Sequence, residues 1–352
     1  MLNIGSHSPS AIDPMPLLAK IPYVDIGDPV ALLRRDPQCA RRLVNAARGT
    51  FGPLSHLASA ALLPAMDRIS RRWLADSRNP YLSEIAQIAE TVRVAGAYTL
   101  NICFEWGCTA GVWNTSSGAE LRRVLDWPFR TLGESVVVAR QTGPAGAFLN
   151  VTWPGFSGVL QAMAPGRFAA AINQAPMRRH GAGFAGDWAL GRIAVRRKRA
   201  LPPVHLLRQV FETAHDYAEA KGKLCTTPVA VPAIFILSGT RAEEGCVIER
   251  VEASFSVREM QAGRVCAANH FESPSQAPHL GWRARPIDSY GRIACARDLG
   301  AEASDFSWFA PPIANVNSRL VLTANVTDGS LAVMGTAGLA PVTEVFRLAK
   351  LG

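Results

Sequence analysis

The pattern of apolar residues changes near residue 100, and this change constrains the fold more than any other feature. From residue 29 to residue 97, apolar residues recur at three- and four-residue steps, which predicts amphipathic helices with a break at Asn79-Pro80. Beyond Cys108, short apolar runs alternate with turns that contain Gly or Pro, which predicts strands. Helices followed by many strands indicate an α+β domain with an N-terminal helical segment.

Sheet packed on sheet and flanked by helices would fit the number of predicted strands. A hairpin is predicted between 319–326 and 330–335, because Thr327-Asp328-Gly329 has the composition of a tight turn. One helix is predicted over 203–221, and a second, short helix over 241–244. The other predicted strands cover 134–140, 147–153, 158–163, 168–173, 245–250 and 264–269.

Composition excludes several classes of protein. The chain has 352 residues, of which 48% are hydrophobic and 18% charged, so it can bury a sizeable core. No apolar run approaches the roughly 20 residues that span a bilayer, so we expect no transmembrane segment. The seven cysteines lack C-x-x-C pairs, which favours a reducing, cytoplasmic location and argues against disulfides and a zinc site. We therefore expect no metal.

The net charge of +9 comes from local basic clusters, one of which covers residues 196–199. Such surface can attract nucleic acid, anionic lipid or an anionic substrate. However, the chain has no nucleic-acid-binding motif, and its basic clusters are not interleaved with aromatic residues. We therefore expect no nucleic-acid partner and interpret most of this charge as solvated surface.

Cys108 is the candidate nucleophile. It follows Gly107, and Arg123 and Asp126 come fifteen and eighteen residues later, a spacing that lets a hairpin return a cation and a carboxylate to the thiol. A thiol with a pKa of about 8.5 needs a base or a cation, and no histidine motif supplies one. Cutting the Gly107–Cys108 peptide bond would free an α-amino group with a pKa of roughly 8, which could take the proton of the thiol.

The chain resembles the cysteine N-terminal-nucleophile (Ntn) hydrolases, a superfamily that includes acid ceramidase, N-acylethanolamine acid amidase, choloylglycine hydrolase and the penicillin acyltransferases. The resemblance covers roughly residues 79 to 300. The matching segments are Asn79-Pro80-Tyr81, Cys108-Thr109, Arg123 and Asp126 with Pro128-Phe129, 153–158, 165–168, Asn173, 244–250, 268–271, and Asp288-Ser289 with Arg292.

The resemblance implies an αββα sandwich, in which two stacked antiparallel sheets are flanked by helices. Residues 108–352 would form the catalytic domain, and residues 1–107 a helical N-terminal segment that is cut off at the Gly107–Cys108 bond. We expect the segment to stay bound after cleavage, because its helices have apolar faces that would otherwise be exposed.

The resemblance also implies roles for individual residues. Cys108 would be the nucleophile for both self-cleavage and catalysis, and Asp126 would hold its α-ammonium group. Arg123 would favour the thiolate and contact the substrate or the scissile carbonyl. Asn269 would donate a hydrogen bond to the developing oxyanion.

Three further residues are candidates for substrate binding, namely Asn173, Trp153 and Arg292. Asn173 would shape the pocket, and Arg292, or alternatively Arg285, would be the late arginine near the nucleophile. The chain departs from the ceramidase pattern at Val124-Leu125 and at His270-Phe271. These departures leave the substrate open more than the reaction.

Three functions remain open from the sequence. The first is a self-processed amidase that acts on a linear, non-peptide amide of a small N-acyl substrate and needs no cofactor. The second is an N-acyltransferase that uses acyl-CoA as co-substrate, with basic residues such as 196–199 holding its phosphates. The third is a non-catalytic binding protein that keeps the fold. The oligomeric state is also open.

Overall fold

A computed structural model describes residues 18–49, 55–102, 107–273, 281–284, 287–302 and 306–348, with the side chains of 55 and 56 left out. Helices of the N-terminal segment come first, and helices of the C-terminal part are interspersed among strands. The first group is α1 (Pro29–Arg35), α2 (Pro37–Gly49), α3 (Ser55–Asp76), α4 (Leu82–Val92) and α5 (Ala97–Asn101). The second group is α6 (Gly183–Arg196), α7 (Pro203–Thr213), α8 (Tyr217–Thr226) and α9 (Ser289–Asp298).

The strands form two large sheets and one small one. They are β1 (Tyr23–Asp25), β2 (Gly107–Thr115), β3 (Gly118–Asp126), β4 (Val137–Gly143), β5 (Gly146–Thr152), β6 (Gln161–Ala164), β7 (Phe168–Gln174), β8 (Met177–Arg178), β9 (Ala233–Ser238), β10 (Gly245–Val251), β11 (Ser254–Glu259), β12 (Arg264–Ala267), β13 (Trp282–Arg283), β14 (Ser318–Asn325), β15 (Ser330–Ala337), β16 (Ala340–Pro341) and β17 (Phe346–Leu348).

The two large sheets stack face to face. One has the order β1-β4-β5-β6-β7-β9-β10-β11, and the other β12-β2-β3-β14-β15-β16, with β17 also paired to β15. Neighbouring strands are antiparallel except for β1, which runs parallel to β4. Inward-facing residues of both sheets, such as Val112, Phe235 and Leu322, form one continuous core. Helices α7 and α8 cover the eight-stranded sheet and α9 covers the other, so the predicted αββα sandwich is confirmed.

The N-terminal helices have a small core of their own and contact the sandwich through both apolar and polar side chains, with Leu43 of α2 belonging to the main core. The residues of the small core include Val30, Leu33 and Ile88. The Asn79 amide lies 2.9 Å from His205 Nδ1 on α7. Strand β1 also adds an edge to the larger sheet, so residues before position 107 take part in the fold of the sandwich.

Two of the helix predictions were wrong. The helix over 203–221 is divided, because Ala214 is extended and the Asp216 side chain caps α8 by accepting a hydrogen bond from Glu219 N. Residues 241–244 form a turn between β9 and β10, in which the Glu244 carboxylate accepts from Arg241 N. The hairpin of β14 and β15 is confirmed. In the described ranges, no helix has both the length and the apolarity needed to cross a bilayer.

Candidate active site

The β2–β3 hairpin brings the predicted residues together. In its register Gly107 lies opposite Asp126, and Ala110 lies opposite Arg123. Side chains alternate between the faces of a strand, so Cys108 and Arg123 share one face as diagonal neighbours, while Asp126 belongs to the other face. Cys108 points between the sheets, since its sulfur lies 3.8 Å from the carbonyl oxygen of Ile172 on β7. The predicted hairpin geometry is therefore present.

Arg123 is buried and points at the thiol. Its Nη2 donates to Cys108 Sγ over 3.1 Å. The rest of the guanidinium is held by neutral oxygen atoms. Nη1 donates to the Ile172 carbonyl and to Asn173 Oδ1, both at 3.0 Å. Nε donates to Gln161 Oε1 over 2.8 Å.

The thiol is protonated at neutral pH in this intact chain. Burial raises the pKa of Cys108 to about 11, and Arg123 opposes the shift without cancelling it. Burial likewise lowers the pKa of Arg123, while Cys108 opposes this change. The pair is therefore a neutral thiol beside a guanidinium, and the cation is in place to stabilise a thiolate once one forms.

Asp126 is buried on the opposite face of the hairpin. Its Oδ1 accepts from Ser318 Oγ at 2.8 Å, and its Oδ2 lies 3.4 Å from Arg292 Nη1. Burial raises the pKa of the Asp126 carboxyl, whereas Arg292 and the hydrogen bonds from Asn315 and Ser318 act to lower it. Sequence reasoning missed Ser318, which reaches the site from β14 because β14 pairs with β3.

Arg292 lies at the centre of the site. Its Nη1 donates to the Cys108 carbonyl at 2.5 Å and to Thr109 Oγ1 at 2.8 Å, and its Nη2 donates to Asn269 Oδ1 at 2.8 Å. Asn269 Oδ1 also accepts from Cys108 N at 2.9 Å, and its Nδ2 donates to the Gln174 carbonyl at 2.8 Å. An amide nitrogen carries two N–H groups, so Asn269 has a second donor besides the one used by Gln174. The alternative arginine, Arg285, lies outside the described residues.

Gly107 is packed tightly at the predicted cleavage site. A Cβ added to it would lie 3.3 Å from Asp126 Cβ and 3.7 Å from both Asn269 Oδ1 and Asp126 Oδ2. A glycine here therefore lets the main chain approach both side chains closely.

Two of the three candidate substrate-binding residues are buried and hydrogen-bonded within the protein. Asn173 is buried, and its Nδ2 donates to the carbonyls of Ala267 and Ala268, so its amide is bonded within the protein. Arg292 is also fully buried by the contacts described above. His270, which follows Asn269, has Nδ1 2.7 Å from Ser289 Oγ.

Trp153 belongs to an aromatic cluster at the boundary with the N-terminal helices. Its ring centroid lies 5.8 Å from that of Trp127 and 5.2 Å from that of Phe156. Together with Leu43 and Ile88, these rings line an apolar crevice of about 40 Å³.

A larger cavity of about 180 Å³ is lined in part by Gln174, whose carbonyl accepts from Asn269. Its lining combines apolar side chains with cationic ones and with the carboxylates of Asp187 and Glu252. Trp188 and Trp282 are among the apolar residues, and Arg178 and Lys198 among the cationic ones. The cavity thus adjoins the site through Gln174. Among the described residues, no group of three or more His, Cys, Asp or Glu side chains is arranged to hold a metal ion.

Fold and site together define an αββα sandwich with a cysteine at the second position of an inner strand. No family model matches the sequence. Over 118 residues the chain is 34% identical to human acid ceramidase, a match that covers 33% of this chain and 28% of that protein. It is 35% identical over 105 residues to acid ceramidase of Bos taurus, covering 29% of this chain and 25% of that protein. The chain thus matches little more than a quarter of the length of these relatives.

Among solved structures, a Caenorhabditis elegans ortholog of N-acylethanolamine-hydrolyzing acid amidase is 18% identical, with a TM-score of 0.49. That alignment covers 62% of this chain and 93% of the other. Penicillin V acylase from Agrobacterium tumefaciens is 10% identical, with a TM-score of 0.40, and the alignment covers 69% of this chain and 86% of the other. The resemblance predicted from the sequence motifs is confirmed by the similarity to acid ceramidases.

Proposed function

We propose that this chain is a self-processed cysteine amidohydrolase, which cleaves the linear, non-peptide C–N bond of an N-acyl substrate through a thioester. The observation that carries the proposal is the 3.1 Å contact between Arg123 Nη2 and Cys108 Sγ, at the strand end where Asp126 faces Gly107. The similarity to acid ceramidases supports an amide substrate. The reaction uses protein groups and water alone.

Self-cleavage would begin with attack of Cys108 Sγ on the Gly107 carbonyl carbon. The C–S bond forms, the C–N bond breaks, and the thiol proton passes to the departing Cys108 nitrogen. Water then hydrolyses the thioester, which leaves a carboxylate on Gly107 and returns the thiol. The close packing of Gly107 against Asp126 supports this step, because it keeps the junction within reach of the groups that would hold the new amine.

In turnover, the free amine of Cys108 would take the proton of its own thiol. The thiolate attacks the acyl carbon, and the second N–H of Asn269 stabilises the oxyanion. The ammonium, held by Asp126, protonates the leaving nitrogen, and water releases the acid from the thioester. Arg123 stabilises the thiolate throughout.

Cleavage would also change the titration of the thiol. In the intact chain burial raises the pKa of Cys108 to about 11. A cut at Gly107 allows solvent and the new ammonium to approach the sulfur, and both favour the thiolate. We therefore propose that the intact chain is a precursor, and that a thiolate forms readily only after processing. The six described cysteines are all free, which suits a reducing, cytoplasmic compartment.

Intact-mass measurement of freshly purified protein tests the proposal. The wild type should give two fragments that separate between Gly107 and Cys108, and Cys108→Ala should remain whole. Cys266→Ala is the matched control, because Cys266 is equally buried on the neighbouring strand β12 yet bonds to Ala296 on α9. The control should be processed normally and should release free acid from N-acyl amides. A wild type that stays whole and inert would instead support the non-catalytic function.

The acyltransferase function is favoured by one observation, the three cationic residues on the wall of the cavity that Gln174 lines, namely Arg178, Arg192 and Lys198. Asp187 and Glu252 lie on the same wall, and Glu252 is paired with both Arg178 and Lys198. An acyl-CoA donor would place its phosphates there. Processed enzyme should be given acyl-CoA with and without candidate amines. New amides would support transfer, whereas release of free acid alone would leave hydrolysis as the function.

We further propose that residues 1–107 remain attached after cleavage as a separate subunit. Support comes from Arg208 of α7, which binds Glu84 of α4 through two contacts of 2.7 and 2.8 Å. Tyr81 donates to Glu212 of α7 over 2.8 Å as well. Both fragments should elute together in size-exclusion chromatography and separate only in denaturant.

A further inference from the structure

The geometry points to Gln161 as a positioning residue that aims the charge of Arg123 at the Cys108 sulfur. This inference rests on the proposed function and deepens it. Gln161 lies on β6, in the sheet that faces the β2–β3 hairpin, and is fully buried. Its Oε1 accepts from Arg123 Nε over 2.8 Å, whereas the thiol accepts from Nη2 of the same guanidinium.

The orientation of the Gln161 amide is fixed by its other end. Nε2 donates to the carbonyl of Val151 on β5, and a carbonyl can only accept. The oxygen must therefore face Arg123. This arrangement leaves the arginine little rotational freedom, because Nε, Nη1 and Nη2 each have a partner.

The partners of Arg123 other than the thiol are uncharged. Gln161 and Asn173 offer amide oxygens, and Ile172 offers a backbone carbonyl. Neutral acceptors orient a guanidinium without compensating its charge, so its charge stays available to the sulfur. Of the other charged groups near the thiol, Asp126 raises the pKa of Cys108 and Arg292 lowers it, and the Gln161 variants change neither. A carboxylate at position 161 would compensate the cation and place a second negative group near the thiolate. The pKa of the Cys108 thiol would then rise.

Two variants separate orientation from charge. Gln161→Glu places a carboxylate against Arg123, and Gln161→Leu removes the acceptor while the arginine keeps its charge. Gln141→Glu is the matched control, because Gln141 is a buried glutamine of the same sheet whose Oε1 accepts from Asn150 rather than from a site residue. Gln141→Glu also places a carboxylate at a buried position of this sheet, but away from the thiol.

The measurement is an ultraviolet thiolate titration, in which each variant is compared with the same variant carrying Cys108→Ala. The difference contains Cys108 and the effect of the cut, which all processed variants share, so differences between variants report the Cys108 thiol. Gln161→Glu should raise the thiol pKa by about one unit or more, which corresponds to an approximately tenfold loss of thiolate below that pKa. Gln161→Leu should shift it in the same direction by less, and Gln141→Glu should leave it unchanged. The low-pH limb of kcat/KM in processed enzyme should move in parallel.

Equal thiol pKa values in the wild type and both Gln161 variants would overturn the inference, as would an equal shift in Gln141→Glu. The titration does not depend on turnover. A chain that shows the predicted shifts but hydrolyses no amide would retain the role of Gln161 and refute the proposed function. Amide hydrolysis with unshifted pKa values would refute the role of Gln161 and retain the proposed function.

Discussion

Two buried arginines of this molecule, Arg123 and Arg208, are held in opposite ways. Arg123 has neutral acceptors and a thiol around it. Arg208 has two carboxylates, since Glu84 binds its Nη1 and Glu212 accepts from its Nε over 2.8 Å. A guanidinium between carboxylates has its charge compensated and joins two parts of the chain. A guanidinium among neutral oxygens keeps its charge available for the reacting sulfur.

The largest effect should come from Arg123→Met, which removes the cation beside the thiol. We expect self-cleavage and turnover to fall by about a thousandfold, the size seen when one group that stabilises developing charge is lost. Intact mass and kcat/KM measure this loss. Arg122→Met is the control, because Arg122 is buried on the same strand but bonds to Glu120 and to the Gly300 carbonyl. Near-normal processing in Arg123→Met would remove the contrast between the two arginines.

Arg208→Met should act on stability rather than on the thiol. The substitution leaves Glu84 and Glu212, whose side chains are 12% and 23% exposed, without their cation, which we expect to lower the free energy of unfolding by about 2–4 kcal/mol. Urea denaturation measures this change. The Cys108 titration should stay as in the wild type. Adding Glu84→Gln to the variant should recover part of the loss. A shifted Cys108 pKa in Arg208→Met would contradict the view that Arg208 only joins the N-terminal helices to the sandwich.

Glu84, which binds Arg208, should also give the fold a pH dependence. Burial raises the pKa of Glu84 to about 7 despite the opposing effect of Arg208. Its ordinary value of 4.5 applies to the unfolded chain, so between roughly pH 4.5 and 7 the folded state binds more protons. The stabilisation is therefore complete below pH 4.5 and is lost as pH rises through 7. The free energy of unfolding from urea denaturation should fall over this window by about 1–3 kcal/mol, and Glu84→Gln should flatten this dependence on pH. If the free energy of unfolding of Glu84→Gln depends on pH as in the wild type, a group other than Glu84 causes that dependence.

The two regions differ in how far the sequence predicts them. The separation of Cys108, Arg123 and Asp126 along the chain is short, so their spacing alone was enough to suggest a hairpin that brings them together. Gln161 and Ser318 come from strands that meet the hairpin only through sheet stacking and long-range pairing. A polar residue inside an apolar strand was the available signal for Gln161, because a buried polar group needs a partner.

Helix α6 was not predicted from the sequence. Several of its apolar residues are exposed, among them Phe184, Trp188 and Ile193. Gly186 and Gly191 also interrupt it with poor helix formers. At α7 and α8 the apolar pattern continues across the break, and the Asp216 cap decides where the second helix begins. The ion pair between Glu84 and Arg208 could not be predicted from the sequence either, because residues 124 positions apart leave no periodic pattern.

The smallest effect should come from Tyr81→Phe, which removes one uncharged donor from the Arg208 cluster. The Tyr81 hydroxyl donates to Glu212 over 2.8 Å, while the ring lies 4.1 Å from the guanidinium carbon of Arg208. Phenylalanine keeps the ring contact and the ion pairs, so we expect a loss of only about 0.5–1.5 kcal/mol in urea denaturation. Cys108 titration and self-cleavage should not change. A loss as large as that of Arg208→Met would mean that the hydroxyl, rather than the carboxylate–arginine pairing, holds the N-terminal helices on the sandwich.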